Sequence, residues 1–182
     1  MRRFFIKYGF DATIVCILLS IVAVVALPIY QNHRAEEALG RLMNGDRDIE
    51  ITQFVIEGQQ RRIICDDAEI CIYVSNAFTE SILDDSSSGN SYHSTFRMNG
   101  LDVWVECTYF LGGIGLSIPA DDPWEIGIPT RSIYFRGDVP TKLTQMWEFL
   151  AAPLKEVSGK VMHVPDDGEP YFTFDQSIWD PN

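Results

Sequence analysis

The sequence predicts an α+β protein: an N-terminal transmembrane helix followed by an antiparallel β-sheet domain with two packed helices. Three observations predict it. Residues 12–29 are eighteen residues without a formal charge. From residue 49 onward, short runs rich in β-branched and aromatic residues alternate with turn pairs, the pattern of strands. Two later stretches, after Asp67 and after Pro140, place apolar residues three and four apart, the period of a helix with one buried face.

The apolar run comes first. Eighteen helical residues rise about 27 Å, close to the roughly 30 Å of a bilayer's hydrocarbon core. Thr13, Cys16 and Ser20 can satisfy themselves on the helix backbone, and Pro28 falls near the exit, where a lost backbone bond costs least. Arg2, Arg3 and Lys7 precede the span against the single Asp11, whereas Arg34 and Arg41 after it are offset by Glu36 and Glu37. The bias of basic residues toward the cytoplasm predicts a short cytoplasmic tail at 1–11, a span at 12–29 and export of all that follows, to the periplasm or the cell exterior. A signal peptide cut after Ala26 is the competing expectation, since Val24 and Ala26 satisfy the small-residue rule. Both export the domain.

The run Ala26, Leu27, Pro28, Ile29, Tyr30, Gln31, Asn32 resembles the N-terminal helix of type IV pilins and pseudopilins, which carries an alanine, aliphatic, proline, small residue, tyrosine, glutamine run after a long apolar stretch. Seventeen residues before the proline, where that family has a glutamate, stands Asp11. Twenty-two before it, where the family's peptidase site has glycine, stands Ile6, with Gly9 out of register. The resemblance covers about residues 11–32. It implies a subunit of a filament or secretion assembly, with Asp11, Pro28 and Tyr30 in the anchoring helix and Asp11 meeting an amino terminus inside the bundle.

Residues 30–45 continue the anchor as an amphipathic stalk, with Ala35, Ala38, Leu39 and Leu42 on one face and Asn44 and Gly45 closing it. Residues 46–182 form the exported domain, about 135 residues and enough for one core. Residues 49–57 and 61–65 read as a hairpin turned by Gly58, Gln59 and Gln60. Asp66 or Asp67 can cap a helix over 68–83 that buries Ile70, Val74, Ala77 and Phe78. Residues 84–90 hold nothing to bury and read as an exposed loop. Runs at 92–98, 101–110 and 115–118, separated by Asn99-Gly100 and Gly112-Gly113, predict an antiparallel meander. In it Leu101, Val103, Val105 and Cys107 point one way and Asp102, Trp104, Glu106 and Thr108 the other, which leaves Trp104 on a polar face. A Pro- and Asp-rich loop follows, then a short strand at 132–135. A helix begins at Pro140, with Leu143, Met146, Trp147 and Leu150 sharing a face, and stops at Pro153. Residues 161–164 and 171–174 are weak strand candidates, so the sheet is expected to hold five or six strands.

Charge narrows the partners. The chain is −12, and its first 32 residues hold three bases and one acid, which leaves 11 bases against 25 acids, or −14, beyond them. A phosphate backbone needs a basic stripe, and the domain's only adjacent arginines are Arg61 and Arg62, so neither nucleic acid nor an anionic lipid surface is expected to bind it.

Of four cysteines Cys16 lies in the span. Cys65, Cys71 and Cys107 are left in an oxidising space, where one intrachain bridge at most can form; its pairing stays open, and three reduced buried thiols are the alternative. Catalytic constellations are missing. His93 and His163 are isolated, no serine sits in a Gly-x-Ser-x-Gly elbow, and Gly112, Gly113 and Gly115 fall between strands rather than before a helix. The pairs Asp84-Asp85, Asp121-Asp122 and Asp166-Asp167 lack calcium-loop spacing, and the Cys65 to Cys71 spacing is not a zinc pattern. No cofactor or metal is expected. The sequence therefore predicts a membrane-anchored structural or interaction protein without catalysis, whose interface aromatics are Trp104, Trp124, Tyr171, Phe172, Phe174 and Trp179. The partner would be another protein or a second copy. A pilin-like subunit is the second expectation and an exported enzyme the third.

Overall fold

One helix, α1 (Arg2–Met43), joins the apolar run to the domain without a break. It belongs to a computed structural model that describes residues 2–83, 90–110, 113–117 and 130–176. Pro28 lies inside α1, so the helix passes through the position where one backbone bond is missing. Residues 12–34 are exposed, whereas Ala35, Ala38, Leu39 and Leu42 are buried, the last at 1% exposure. Three of these, Ala35, Leu39 and Leu42, belong to the same core as the sheet. α1 is thus bare and apolar over residues 12–29 and amphipathic in its last turns, and it alone among the described residues is long and apolar enough to cross a membrane. Its end is a glycine cap. Gly45, at φ +85°, donates to Leu42 O, and the next amide, Asp46 N, reaches back to Arg41 O.

The domain follows in the order β1 (Ile51–Glu57), β2 (Arg61–Cys65), α2 (Ala68–Glu80), β3 (Ile82–Leu83), β4 (Asn90–Met98), β5 (Leu101–Phe110), β6 (Gly113–Ser117), β7 (Thr130–Ile133), α3 (Thr141–Ala151), α4 (Leu154–Val157), β8 (Lys160–Val164) and β9 (Tyr171–Phe174). Among the described residues the nine strands form one sheet, ordered β3-β7-β6-β5-β4-β1-β2-β8-β9. The α+β class stands, with two corrections. The sheet has nine strands rather than five or six, because both tail candidates are strands that extend it beyond β2, and Ile82 and Leu83, expected at the end of a helix, add β3 beside β7 at the other edge. It is also mixed: β8 pairs parallel to β2, since the chain returns over the helices before entering beside it.

Local chemistry explains the element ends. Gly58 turns the first hairpin against the Tyr92 ring, 2.8 Å from where a Cβ would stand, so no larger residue fits there without a shift. Asn99 and Gly100 take φ of 48° and 78°, the left-handed pair a tight hairpin needs. α2 stops at Glu80 rather than near 83, because the Ser81 amide and hydroxyl both bond to Phe78 O and the chain turns extended into β3. Pro140 stands at the N-cap position of α3, just outside its first turn. The strand expected at 132–135 is Thr130–Ile133; Phe135 beyond it stacks on Tyr73 and meets the Trp147 ring edge-on at 4.9 Å. Of the loop expected at 84–90, Asn90 begins β4 and residues 84–89 lie outside the described residues, as do residues 118–129.

The last turns of α1, with α2 and α3, cover one face of the sheet. On that face Val103, Phe96, Phe54, Cys65 and Val164 stand opposite one another across five strands, and all are buried. Phe78 of α2 meets Phe96 edge-on at 5.4 Å. A cavity of about 20 Å³ among Phe54, Phe96, Ile133, Met146 and Leu150 has no polar wall and is a packing gap.

Candidate functional site

Strand alternation places every second residue on the other side, where no described element covers the sheet. The register aligns Trp104 with Thr95, Thr95 with Val55, Val55 with Ile64, Ile64 with His163, and His163 with Tyr171. These six side chains form one row across β5, β4, β1, β2, β8 and β9. At about 4.8 Å per strand the row is roughly 24 Å long. Its ends are the most open, with Trp104 at 48% and Tyr171 at 50% exposure; Thr95, Val55, Ile64 and His163 between them are half-buried.

Each end is braced by a histidine. His93 stacks on Trp104 with ring centres 5.7 Å apart, and His163 lies nearly parallel to Tyr171 at 4.7 Å. The His163 ring nitrogen Nε2 also hydrogen-bonds Thr173 Oγ1 at 2.9 Å. Charged groups flank the row. On one side Arg97 grips Asp102 through two bonds of 2.8 and 3.3 Å. On the other, Arg62 Nε lies 3.0 Å from Glu57 Oε1, an ion pair by distance whose geometry is too bent for a hydrogen bond, and Arg62 Nη1 lies 3.7 Å from Asp175. The row thus has aromatic ends, apolar Val55 and Ile64 at its middle, and paired charges on both sides. Among the described residues no three His, Cys, Asp or Glu side chains converge to hold a metal.

Trp104 has a second neighbourhood. With Asn32, Ala35 and Glu36 it lines a cleft of about 210 Å³ between α1 and β5. Asn32 lies three residues, about 4.5 Å of helix rise, past the end of the apolar run. The row therefore begins beside the turn of α1 that leaves the apolar segment.

The expected interface residues divide. Tyr171 joins Trp104 on the open row, although five strand spacings separate them. Phe172 and Phe174 point to the helix side of β9, at 54% and 64% exposure, and Phe172 packs on Phe149 of α3 at 5.3 Å. Trp124 and Trp179 lie outside the described residues. Pro28 and Tyr30 stand exposed on α1, with the Arg34 guanidinium 5.9 Å from the Tyr30 ring centre; Asp11 is in α1, its side chain outside the description. Cys65 and Cys71 are buried free thiols, and Cys107 has its backbone in β5 but its side chain outside the described residues.

Sequence reading missed Val55, Thr95, Ile64 and His163 as members of one surface. The signal was the alternation Gln53, Val55, Glu57 and Arg62, Ile64, but the row exists only once the parallel pairing brings β8 beside β2. No family model, no curated protein and no solved structure matches the chain.

Proposed function

We propose that this protein is a single-pass membrane-anchored interaction protein: α1 holds an exported acidic domain against the bilayer surface, and the uncovered sheet face binds a protein partner. The observation that carries the reading is the continuity of α1. The same rigid rod is bare and apolar over 12–29 and locked into the domain core at Leu39 and Leu42, so its insertion fixes the domain close to the membrane. Trp104, beside Asn32, then stands near headgroup level, where tryptophan is favoured. The partner that fits is a protein presenting an apolar strip with a basic rim, because a domain of charge −14 attracts that rim and repels a second copy of itself.

The test is place first. Membranes from the native host are extracted with alkaline carbonate and, separately, intact cells are treated with protease from outside. Retention in the carbonate pellet with loss of the domain to external protease supports the reading; release into the supernatant, or a shielded domain, overturns it.

A pilin-like assembly subunit is the second reading, favoured by the run at Ala26 to Asn32 together with the unbroken helix through Pro28. It requires that α1 pack against copies of itself. Intact mass decides between them: a chain starting at Met1 supports the anchor, and one starting near residue 7 or 10 supports the assembly subunit.

A further inference from the structure

Cys65 closes β2, and Cys71 lies on the first turns of α2. Only Asp66 and Asp67 link the two elements, and Asp67 fixes their angle. Its side chain accepts from the Ile70 amide at 3.0 Å, and its carbonyl accepts from the Cys71 amide at 2.9 Å. The helix is folded back on the strand so that both cysteines face the core, at 0% and 1% exposure, with the Cys71 thiol beside that of Cys65.

The third domain cysteine is out of reach of Cys65. β1 and β4 stand between β2 and β5, and Cys65 aligns through Phe54 and Phe96 with Val103. Three strand spacings are roughly 14 Å, whereas the Cα atoms of a disulfide lie about 4.4–6.8 Å apart.

We propose that Cys65 and Cys71 are joined by a disulfide in the exported protein, stapling the end of β2 to the start of α2; this rests on the export reading above. The oxidant is a protein carrier with a reactive disulfide. One cysteine thiolate attacks it to give a mixed disulfide, the second thiolate displaces the carrier, and the carrier leaves as a dithiol with the two electrons and two protons that the cysteines gave up. The Cys71 hydrogen bond, with burial behind it, pushes the Cys65 thiol well above its ordinary range. The thiolate is therefore scarce once α2 is seated, and exchange belongs to the stage before the helix closes over the strand.

The experiment reads thiols in the full chain from its native membranes, denatured in acid, labelled with N-ethylmaleimide without reductant and cut with trypsin. Both cysteines fall on fragment 63–97, between Arg62 and Arg97, and Cys107 on fragment 98–131. Support is a fragment 63–97 that carries no label and is two hydrogens lighter than its reduced form. In Cys71→Ser, Cys65 is then expected to take one label. Two labels on fragment 63–97, from a domain that external protease digests, overturn the disulfide and leave export standing. Two labels from a shielded domain overturn both. A link between fragments 63–97 and 98–131 overturns the pairing.

Discussion

Lys142, on the first turn of α3, donates to Asp67 Oδ2 at 2.6 Å, while Asp67 caps α2 through its other oxygen, Oδ1. One nearly buried carboxylate thus ties together the starts of the two helices that cover the sheet. Burial pushes its pKa up, but the Lys142 ammonium and the Ile70 amide outweigh it and hold the group below its ordinary value of 3.8. A depressed carboxylate contributes stability that is fully present above about pH 4 and is lost as pH falls through its folded value. Lys142 is raised in turn, chiefly by the hydrogen bond to Asp67, so its share is present below its ordinary 10.5 and lost above its folded value. Asp67→Asn, which keeps a cap but not the charge, should flatten the loss of stability between pH 4 and more acid conditions. Asp67→Ala should cost about 2 kcal/mol at neutral pH, near the upper end for a lost helix cap. Urea denaturation at several pH values measures both, and an unchanged pH profile in Asp67→Asn would show that the pair carries no linkage.

Ser94 lies in β4 on the covered face at 1% exposure, and among the described residues its hydroxyl has no hydrogen-bond partner. Burying an unpaired hydroxyl costs about 1–3 kcal/mol. Ser94→Ala should therefore raise stability by roughly 1 kcal/mol, allowing for the small gap left behind, and a shift of the urea midpoint to higher concentration is the readout. A destabilised variant would mean that the hydroxyl has a partner.

Adjacent residues of β2 test which face is covered. Ile63 is fully buried beneath the helices and Ile64 lies half-buried in the open row. Ile63→Lys should prevent folding, because an unpaired charge cannot remain in the core. Ile64→Lys should leave circular dichroism and melting nearly unchanged yet abolish photo-crosslinking of the partner from a reactive group at Tyr171. Equal damage from the two substitutions would show that a further element covers the second face.

Leu42 and Leu27 make the corresponding pair on α1. Leu42→Ala removes a side chain 1% exposed in the core and should destabilise the domain by about 2–5 kcal/mol, as core leucine truncations do. Leu27→Ala, at a position 55% exposed, should leave the domain's urea transition in detergent where it was. If Leu42→Ala were equally silent, the last turns of α1 would not be docked on the sheet.

Length, charge and short-range chemistry determined a good deal from sequence alone. Eighteen uncharged residues specify a span-length apolar helix whatever follows, since every neighbour needed for the backbone bonds is four residues away. Asn99 with Gly100 specified a hairpin, Asp66 or Asp67 a helix cap, of which the fold uses Asp67, and Gly45 a helix end, because each acts through its own backbone angles or its nearest amides. Alternation also assigned Val103 and Val105 to the buried side and Asp102 and Trp104 to the open one. What the tertiary structure decided depends on residues distant in sequence. The pairing of β2 with β8 spans about a hundred residues and runs parallel, so no turn signal announces it, yet it places His163 and Tyr171 in line with Trp104. The docking of Leu39 and Leu42 into the core depends likewise on residues distant in sequence, and strand order puts Cys107 three strands away from Cys65. Periodicity tells which side of an element is apolar; only packing tells what that side meets.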